Sequence, residues 1–203
     1  MMIWLNIKEI SVISVILINL FLTIRSFILI KQRKIQPALA MWLFFTIAVA
    51  LSLITYKSSG DLKFVDNILN TTDLVYVLTV TIAIRIYGDS STKFNTFDLI
   101  CLGAVLIIFV FWILTQNHFI SNLLVQFILV IAYFPVIKRF FKTKKNTESF
   151  TIWLLMLVVS SISLLSTKGI LATVYSLRAV ISIGLLLLFM AWLELSQKKN
   201  SKL

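Results

Sequence analysis

Residues that carry catalytic or metal chemistry are scarce in this chain. Its 203 residues include one cysteine, one histidine, two prolines and eight acidic residues. With Cys101 as the single cysteine, no intramolecular disulfide can form, and the lone His118 adds no partner for a metal cluster. The sequence also has no glycine-rich phosphate loop and no pair of carboxylates on one helix face. We therefore expect no enzyme activity, no cofactor and no bound metal.

Hydrophobic residues dominate instead. They make up 60% of the chain, and the mean hydropathy is +1.00, whereas a soluble domain is roughly half apolar. A membrane-spanning helix needs about 20 mostly apolar residues. Seven stretches meet or approach that length, at about 9–30, 38–56, 66–87, 97–115, 119–138, 149–166 and 170–195. The sequence predicts an all-α membrane protein with one transmembrane domain over residues 1–203.

The loops between these stretches differ in basic charge. Four lysine and arginine residues fall on one face of the predicted bundle and thirteen on the other. Basic loops stay in the cytoplasm, so we predict a multi-pass protein of the cell membrane with its amino terminus outside and its carboxyl terminus cytoplasmic. The net charge of +11 then reflects topology and attraction to anionic lipid. A nucleic-acid partner is not expected.

An internal repeat divides the chain. The segment Lys31–Lys57 reappears as Lys142–Lys168, with seven identities in 27 positions at a constant offset of 111. Each copy has a basic turn, a short polar stretch and a tryptophan that opens an apolar span. We infer two parallel three-helix repeats, at about 9–87 and 119–195, joined by a linker helix at about 97–115. Transporters with such repeats place the solute site between their halves.

Sequence around the second copy resembles a known family. The stretch Tyr133-Phe134-Pro135-Val136-Ile137, followed by Lys142-Thr143-Lys144, Ser149-Phe150 and Trp153, is similar to the PQ-loop pattern of the SWEET and SemiSWEET sugar transporters. Val136 stands where that family has glutamine, and Ile24-Arg25 stands where the first repeat of the family has proline. The chain also resembles a group of seven-helix bacterial proteins of that fold. In those proteins a motif like Phe97-Asp98-Leu99-Ile100-Cys101 opens the fourth helix.

The resemblance implies the three-one-three helix order and a central solute site. In the family, the third helix of each repeat contributes an asparagine to that site. Asn67 or Asn70 in the first repeat and the region of Arg178 in the second are the nearest counterparts.

Polar side chains inside the predicted spans indicate the same region. A charge at mid-membrane costs roughly 2.5–3.5 kcal/mol, so such residues should face protein or water. They are Asn19, Asn67, Asn70, Asp73, Asn122, Gln126 and Arg178. Asp73 and Arg178 both lie about 12 Å deep, at roughly 1.5 Å per helical residue. We predict that these two residues point into a central cavity, close enough to interact directly or through water, and that Asn67, Asn70, Asp73 and Arg178 bind the solute.

Two further features bear on movement. Proline inside a helix removes a backbone hydrogen bond, so Pro135 predicts either a static kink or a hinge that opens a cytoplasmic gate. Trp42 and Trp153 occupy equivalent places near the cytoplasmic ends of their helices. For this pair we favour an interfacial aromatic belt over a role in lining a pocket.

Together these observations predict a SWEET-like transporter that moves a small polar solute, such as a sugar, by alternating access. A carrier of the PnuC vitamin-transporter kind is one alternative, and a non-transporting receptor or scaffold of the same fold is the other. A water-accessible cavity would favour a carrier, and a sealed dry core would favour the scaffold. The expected partners are a small-molecule solute and the lipid bilayer, and assembly as a homo-oligomer is compatible with this architecture.

Overall fold

The computed structural model describes residues 2–60, 63–88, 96–143, 146 and 148–200, without the side chains of 2–6, 97, 98, 101, 135, 139, 142, 143 and 197–200. Within these ranges all regular structure is helical, which confirms the all-α prediction. The helices are α1 (Met2–Lys31), α2 (Leu39–Ser58), α3 (Ile68–Tyr87), α4 (Thr96–Thr115), α5 (His118–Ile131), α6 (Phe134–Thr143), α7 (Phe150–Ser163) and α8 (Ile170–Asn200), with a 3-10 turn at Phe64–Asn67.

Helix length and composition suit a membrane. Five spans in the described ranges are long and apolar enough to cross a bilayer, namely Ile7–Lys31, Leu39–Ser58, Phe64–Tyr87, His118–Lys138 and Ile170–Ser196. Two shorter apolar helices cover Leu102–Thr115 and Phe150–Ser163. Large apolar side chains also cover the outside of the bundle, with Ile107 70% and Leu188 69% exposed. An apolar exterior of this extent is expected for a surface that faces lipid.

Two helices form the centre of the bundle. Helix α3 packs against both α1 and α2, and α8 packs against both α7 and α5. Further contacts join α1 to α7, α2 to α5, and α3 to α8, while α4 lies against α5 and α2. Because α3 and α8 are in contact with each other, side chains on their facing surfaces lie in the middle of the protein.

The fifth span is broken into α5 and α6 at Ala132 and Tyr133. Proline at position 135 has no backbone N–H to donate to the carbonyl group of Ile131. The chain tightens there, since the Tyr133 N–H donates to the carbonyl group of Val130 at 3.2 Å. The helix break therefore lies where the proline predicts it, and its role as a hinge stays a prediction.

Candidate functional site

A small cavity lies between α2, α3, α5, α7 and α8. Its polar lining consists of Asp73, Tyr76, Tyr133, Ser160, Tyr175 and Arg178. The cavity offers about 20 Å³ to the centres of water molecules, and one buried water needs roughly 10–15 Å³ of such space. It therefore has room for one or two waters. A sugar-sized ligand needs a pocket of about 300 Å³ or more, so the cavity in this conformation is too small to hold one.

Asp73 is anchored in the cavity by two neutral donors. The Tyr175 hydroxyl donates to Oδ2 of Asp73 at 2.9 Å, and Nδ2 of Asn19 donates to Oδ1 at 3.4 Å. Asn19 also donates to Oγ1 of Thr72 at 2.6 Å. Hydrogen bonds to an ionised carboxylate are stronger than neutral ones, so they lower the cost of keeping Asp73 inside the membrane. Helices α1, α3 and α8 thus meet at this carboxylate.

Arg178 faces the same cavity from α8. Its guanidinium carbon lies 4.9 Å from the centroid of the Tyr175 ring, which is cation–π geometry. Tyr133 lines the same cavity. Among the described residues, no acceptor lies within hydrogen-bond distance of its Nε. The structure therefore brings Asp73 and Arg178 to one cavity, where Tyr175 bridges them in place of a direct ion pair.

Residues that line this cavity recur at two constant spacings along the chain. At the repeat offset of 111 positions the pairs are Phe45 with Met156 and Val49 with Ser160. At an offset of 102 positions they are Asp73 with Tyr175, Tyr76 with Arg178 and Val77 with Ala179. The second offset is smaller by nine residues because α7 ends six residues earlier than α2 at the first offset, and the connection that follows α7 is three residues shorter than the one that follows α2. Five residues on α2 and α3 therefore have a counterpart on α7 or α8 that lines the same cavity.

Aromatic side chains close the cavity towards the starts of α2 and α7. Trp42 and Trp153 are only 2% and 1% exposed, and their ring centroids lie 6.2 Å apart. Trp42 packs on Tyr76 at 5.4 Å, and Trp153 packs on Tyr133 at 5.8 Å. The favoured expectation of an interfacial belt is therefore wrong, because both indoles point into the bundle and meet at its centre. We call these four residues the aromatic seal.

A polar network joins the two halves at the opposite end of the bundle. Nζ of Lys8 lies 3.0 Å from Oδ1 of Asp66, and Oδ2 of Asp66 accepts from the Lys63 backbone N–H at 3.1 Å. The Lys168 N–H donates to the carbonyl oxygen of Asp66 at 2.9 Å, and the Tyr56 hydroxyl donates to the carbonyl oxygen of Lys168 at 3.1 Å. Lys8, Tyr56, Asp66 and Lys168 form what we call the polar clasp.

Asn67 and Asn70 lie outside the lining of the cavity. Asn70 points towards α2, where its Nδ2 donates to Oγ of Ser52 at 3.0 Å. Asn122 and Gln126 of α5 converge on the same serine, donating to its carbonyl oxygen at 2.8 Å and to its Oγ at 2.9 Å. Asn67 is 1% exposed at the end of the 3-10 turn. In this conformation Asn70, Asn122 and Gln126 join helices to one another. Neither Asn67 nor Asn70 lines the cavity.

The burial of intramembrane polar groups follows the expectation from the sequence. Asn19, Asn67, Asn70, Asn122 and Gln126 are each at most 4% exposed, and Asp73 and Arg178 are partly buried against the cavity. These residues therefore face protein or the cavity, as predicted. The cavity tyrosines were not among the predicted site residues. The signal that indicates them is a polar pair at i and i+3 in each central helix, Asp73 with Tyr76 and Tyr175 with Arg178.

Comparison with known proteins yields no relative. No family model, no curated protein and no solved structure matches this chain. Parts of the PQ-loop pattern and of the motif at 97–101 fall outside the described residues, including the side chain of Pro135 and all of Lys144.

Proposed function

We propose that this protein is a SWEET-like membrane carrier that moves a small polar solute through the central cavity by alternating access. The observation that carries the proposal is a charged cavity whose lining residues recur at constant spacings along the chain. Polar and charged groups at membrane depth are costly and typically mark a solute or ion pathway. An axis between two repeats is where parallel-repeat transporters bind their substrates.

Helix packing supports the three-one-three order. In the first half α3 lies between α1 and α2, and in the second half α8 lies between α5 and α7. Exchanging the two halves converts the α1–α7 contact into the α5–α2 contact and leaves the α3–α8 contact unchanged. A two-fold pseudo-symmetry axis produces this pattern. Together with the uneven basic charge, it supports a carrier whose aromatic seal faces the cytoplasm and whose polar clasp faces outside.

The two closures give this carrier an occluded state. Opening the aromatic seal would connect the cavity to the cytoplasm, and opening the polar clasp would connect it to the outside. The clasp consists of neutral hydrogen bonds worth about 1 kcal/mol each and one ion pair worth about 0–1 kcal/mol. A solute that binds one open state more tightly than the other by that amount would shift the balance between the two ends.

Pro135 fits the role of a hinge in this scheme. The helix break lies at Ala132 and Tyr133, and Tyr133 both lines the cavity and packs on Trp153. A change of backbone angle at the break therefore moves a residue that belongs to the aromatic seal. This coupling is present in the second half only, because the first half has Ile24-Arg25 at the matching place.

A receptor or scaffold of the same fold is the second candidate. The observation in its favour is the volume of the cavity, about 20 Å³ for water centres. A protein that never opens would need no more space than a few structural waters occupy. The two candidates therefore differ in whether the cavity becomes accessible to solvent from both faces of the membrane.

Accessibility of one engineered cysteine separates the two. In a Cys101→Ser background, Ser160→Cys places a thiol in the cavity lining, and Ser161→Cys places the matched control on the exposed face of α7. A membrane-impermeant thiol reagent is applied to right-side-out and to inside-out vesicles. The carrier predicts labelling of Ser160→Cys from both faces and little labelling of the control in lipid. Labelling from one face only, or from neither, would support the scaffold.

A further inference from the structure

Arg178 is a charged donor in the cavity without a direct counter-ion. Among the described residues, none accepts a hydrogen bond from its Nε. The carboxylate that shares the cavity, Asp73, directs its oxygens to Tyr175 and Asn19 instead. Buried guanidinium groups ordinarily hold a carboxylate or phosphate through two parallel hydrogen bonds. The geometry therefore leaves part of the binding capacity of Arg178 unused.

Tyr175 holds the two charges apart. Its hydroxyl group donates to Asp73 at 2.9 Å, while the guanidinium of Arg178 lies over its ring at 4.9 Å from the centroid. Tyr133, a second tyrosine, also lines the cavity. A guanidinium edge beside a phenol group matches the hydrogen-bonding needs of a carboxylate. A neutral polyol would leave the charge of Arg178 unneutralised.

We infer that the cavity binds solutes that carry a carboxylate or a comparable anionic group. Arg178 is the donor for that group, and Asp73 is the internal carboxylate with which the solute competes. This inference names the substrate class of the proposed carrier. Transport of such a solute rests on the proposed function, whereas its binding at Arg178 does not.

Carboxylates and their neutral amides provide a matched test. Thermal unfolding of the purified full chain in detergent is followed with acetate, lactate or succinate, and with the corresponding amides, at constant ionic strength set by sodium chloride. A ligand that binds the folded state raises the melting temperature as its concentration rises. We expect a saturable rise with at least one carboxylate and none with its amide. Equal responses to all carboxylates and amides would overturn the inference.

Three variants identify the residues responsible. Arg178→Gln should abolish the carboxylate response, and Arg25→Gln, the same change at an exposed position of α1, should retain it. Asp73→Asn should lower the carboxylate concentration needed for half of the effect several-fold, because the competing charge is gone. A general effect of salt would leave all three variants alike and would refute the site. Asp73→Asn decides the matter even if Arg178→Gln fails to fold, since weaker binding in that variant contradicts competition.

The two proposals fail in different ways. A carboxylate response without two-sided labelling of Ser160→Cys would uphold the anion site and refute the carrier. Two-sided labelling without any carboxylate response would uphold a carrier and refute the anion site.

Discussion

Removal of the Tyr175 hydroxyl group tests how the cavity stabilises its carboxylate. Tyr175→Phe deletes one oxygen, and the ring that packs under Arg178 is retained. The hydroxyl donates to Oδ2 of Asp73 at 2.9 Å. Tyr76→Phe is the matched control, because Tyr76 is also 1% exposed and its hydroxyl meets the neutral Oγ of Ser26 at 3.1 Å. Both variants lose one buried hydroxyl, and only one of them affects a charged acceptor.

The expected magnitudes differ between the two variants. A hydrogen bond to a charged group contributes about 1.5–3 kcal/mol, whereas hydrogen bonds between neutral groups in a membrane protein average about 0.6 kcal/mol. Tyr175→Phe should therefore lower the free energy of unfolding by about 1 kcal/mol or more beyond the loss in Tyr76→Phe. The assay is reversible unfolding by a denaturing detergent, followed by tryptophan fluorescence in both variants.

A double-mutant cycle completes this prediction. In an Asp73→Asn background the acceptor remains but its charge is gone, so Tyr175→Phe should cost less than it does in the parent protein. An equal cost in both backgrounds, or a cost in Tyr175→Phe no greater than in Tyr76→Phe, would refute the view that Tyr175 supports a buried charge.

Three other substitutions examine the closures and the helix break. Trp153→Ala should lower the free energy of unfolding by about 3–5 kcal/mol because it empties a buried site. The control Trp192→Ala changes a side chain that is 55% exposed and should cost at most about 1 kcal/mol. Similar losses in the two variants would contradict the burial of the aromatic seal. Lys8→Met removes the ion pair with Asp66 and should lower the free energy of unfolding by only about 0–1 kcal/mol. It should nevertheless speed labelling of the Ser160→Cys thiol from the side of the polar clasp. An unchanged labelling rate would show that the polar clasp does not control access to the cavity. Pro135→Ala restores a backbone donor, so the amide hydrogens around it should exchange with solvent more slowly, as measured by mass spectrometry. The rate of solute exchange across the membrane should also fall. If both rates are unchanged, Pro135 forms a static kink and not a hinge.

The all-helical, apolar character of the chain and the burial of its polar residues could be predicted because both depend on one-dimensional properties of the chain. The length of an apolar run shows whether a helix can span the membrane, and the cost of exposing Asn122 or Gln126 to lipid holds at any rotation of the helix. The break before Pro135 follows equally directly from the missing N–H of proline.

The direction of individual side chains could not be predicted in the same way. Successive residues of a helix are rotated by about 100°, so depth in the membrane does not settle which neighbour a side chain meets. Trp42 has the depth of a belt residue yet points inwards, and Asn70 lies one turn from Asp73 yet faces α2. Tyr175 has an apolar ring that suits any span, so its importance emerges only when α3 and α8 are placed together.

Distances between the two halves at both ends of the bundle test alternating access most directly. In the Cys101→Ser background, spin labels are placed at Gln32 and Thr151 near the aromatic seal, and at Ser58 and Ile170 near the polar clasp, all of them exposed positions. Pulsed electron spin resonance in lipid then measures each distance. Alternating access predicts two populations of distances at each end of the bundle. Conditions that lengthen the distance at the aromatic seal should shorten the distance at the polar clasp, and the reverse. A single unchanging distance at both ends would contradict it.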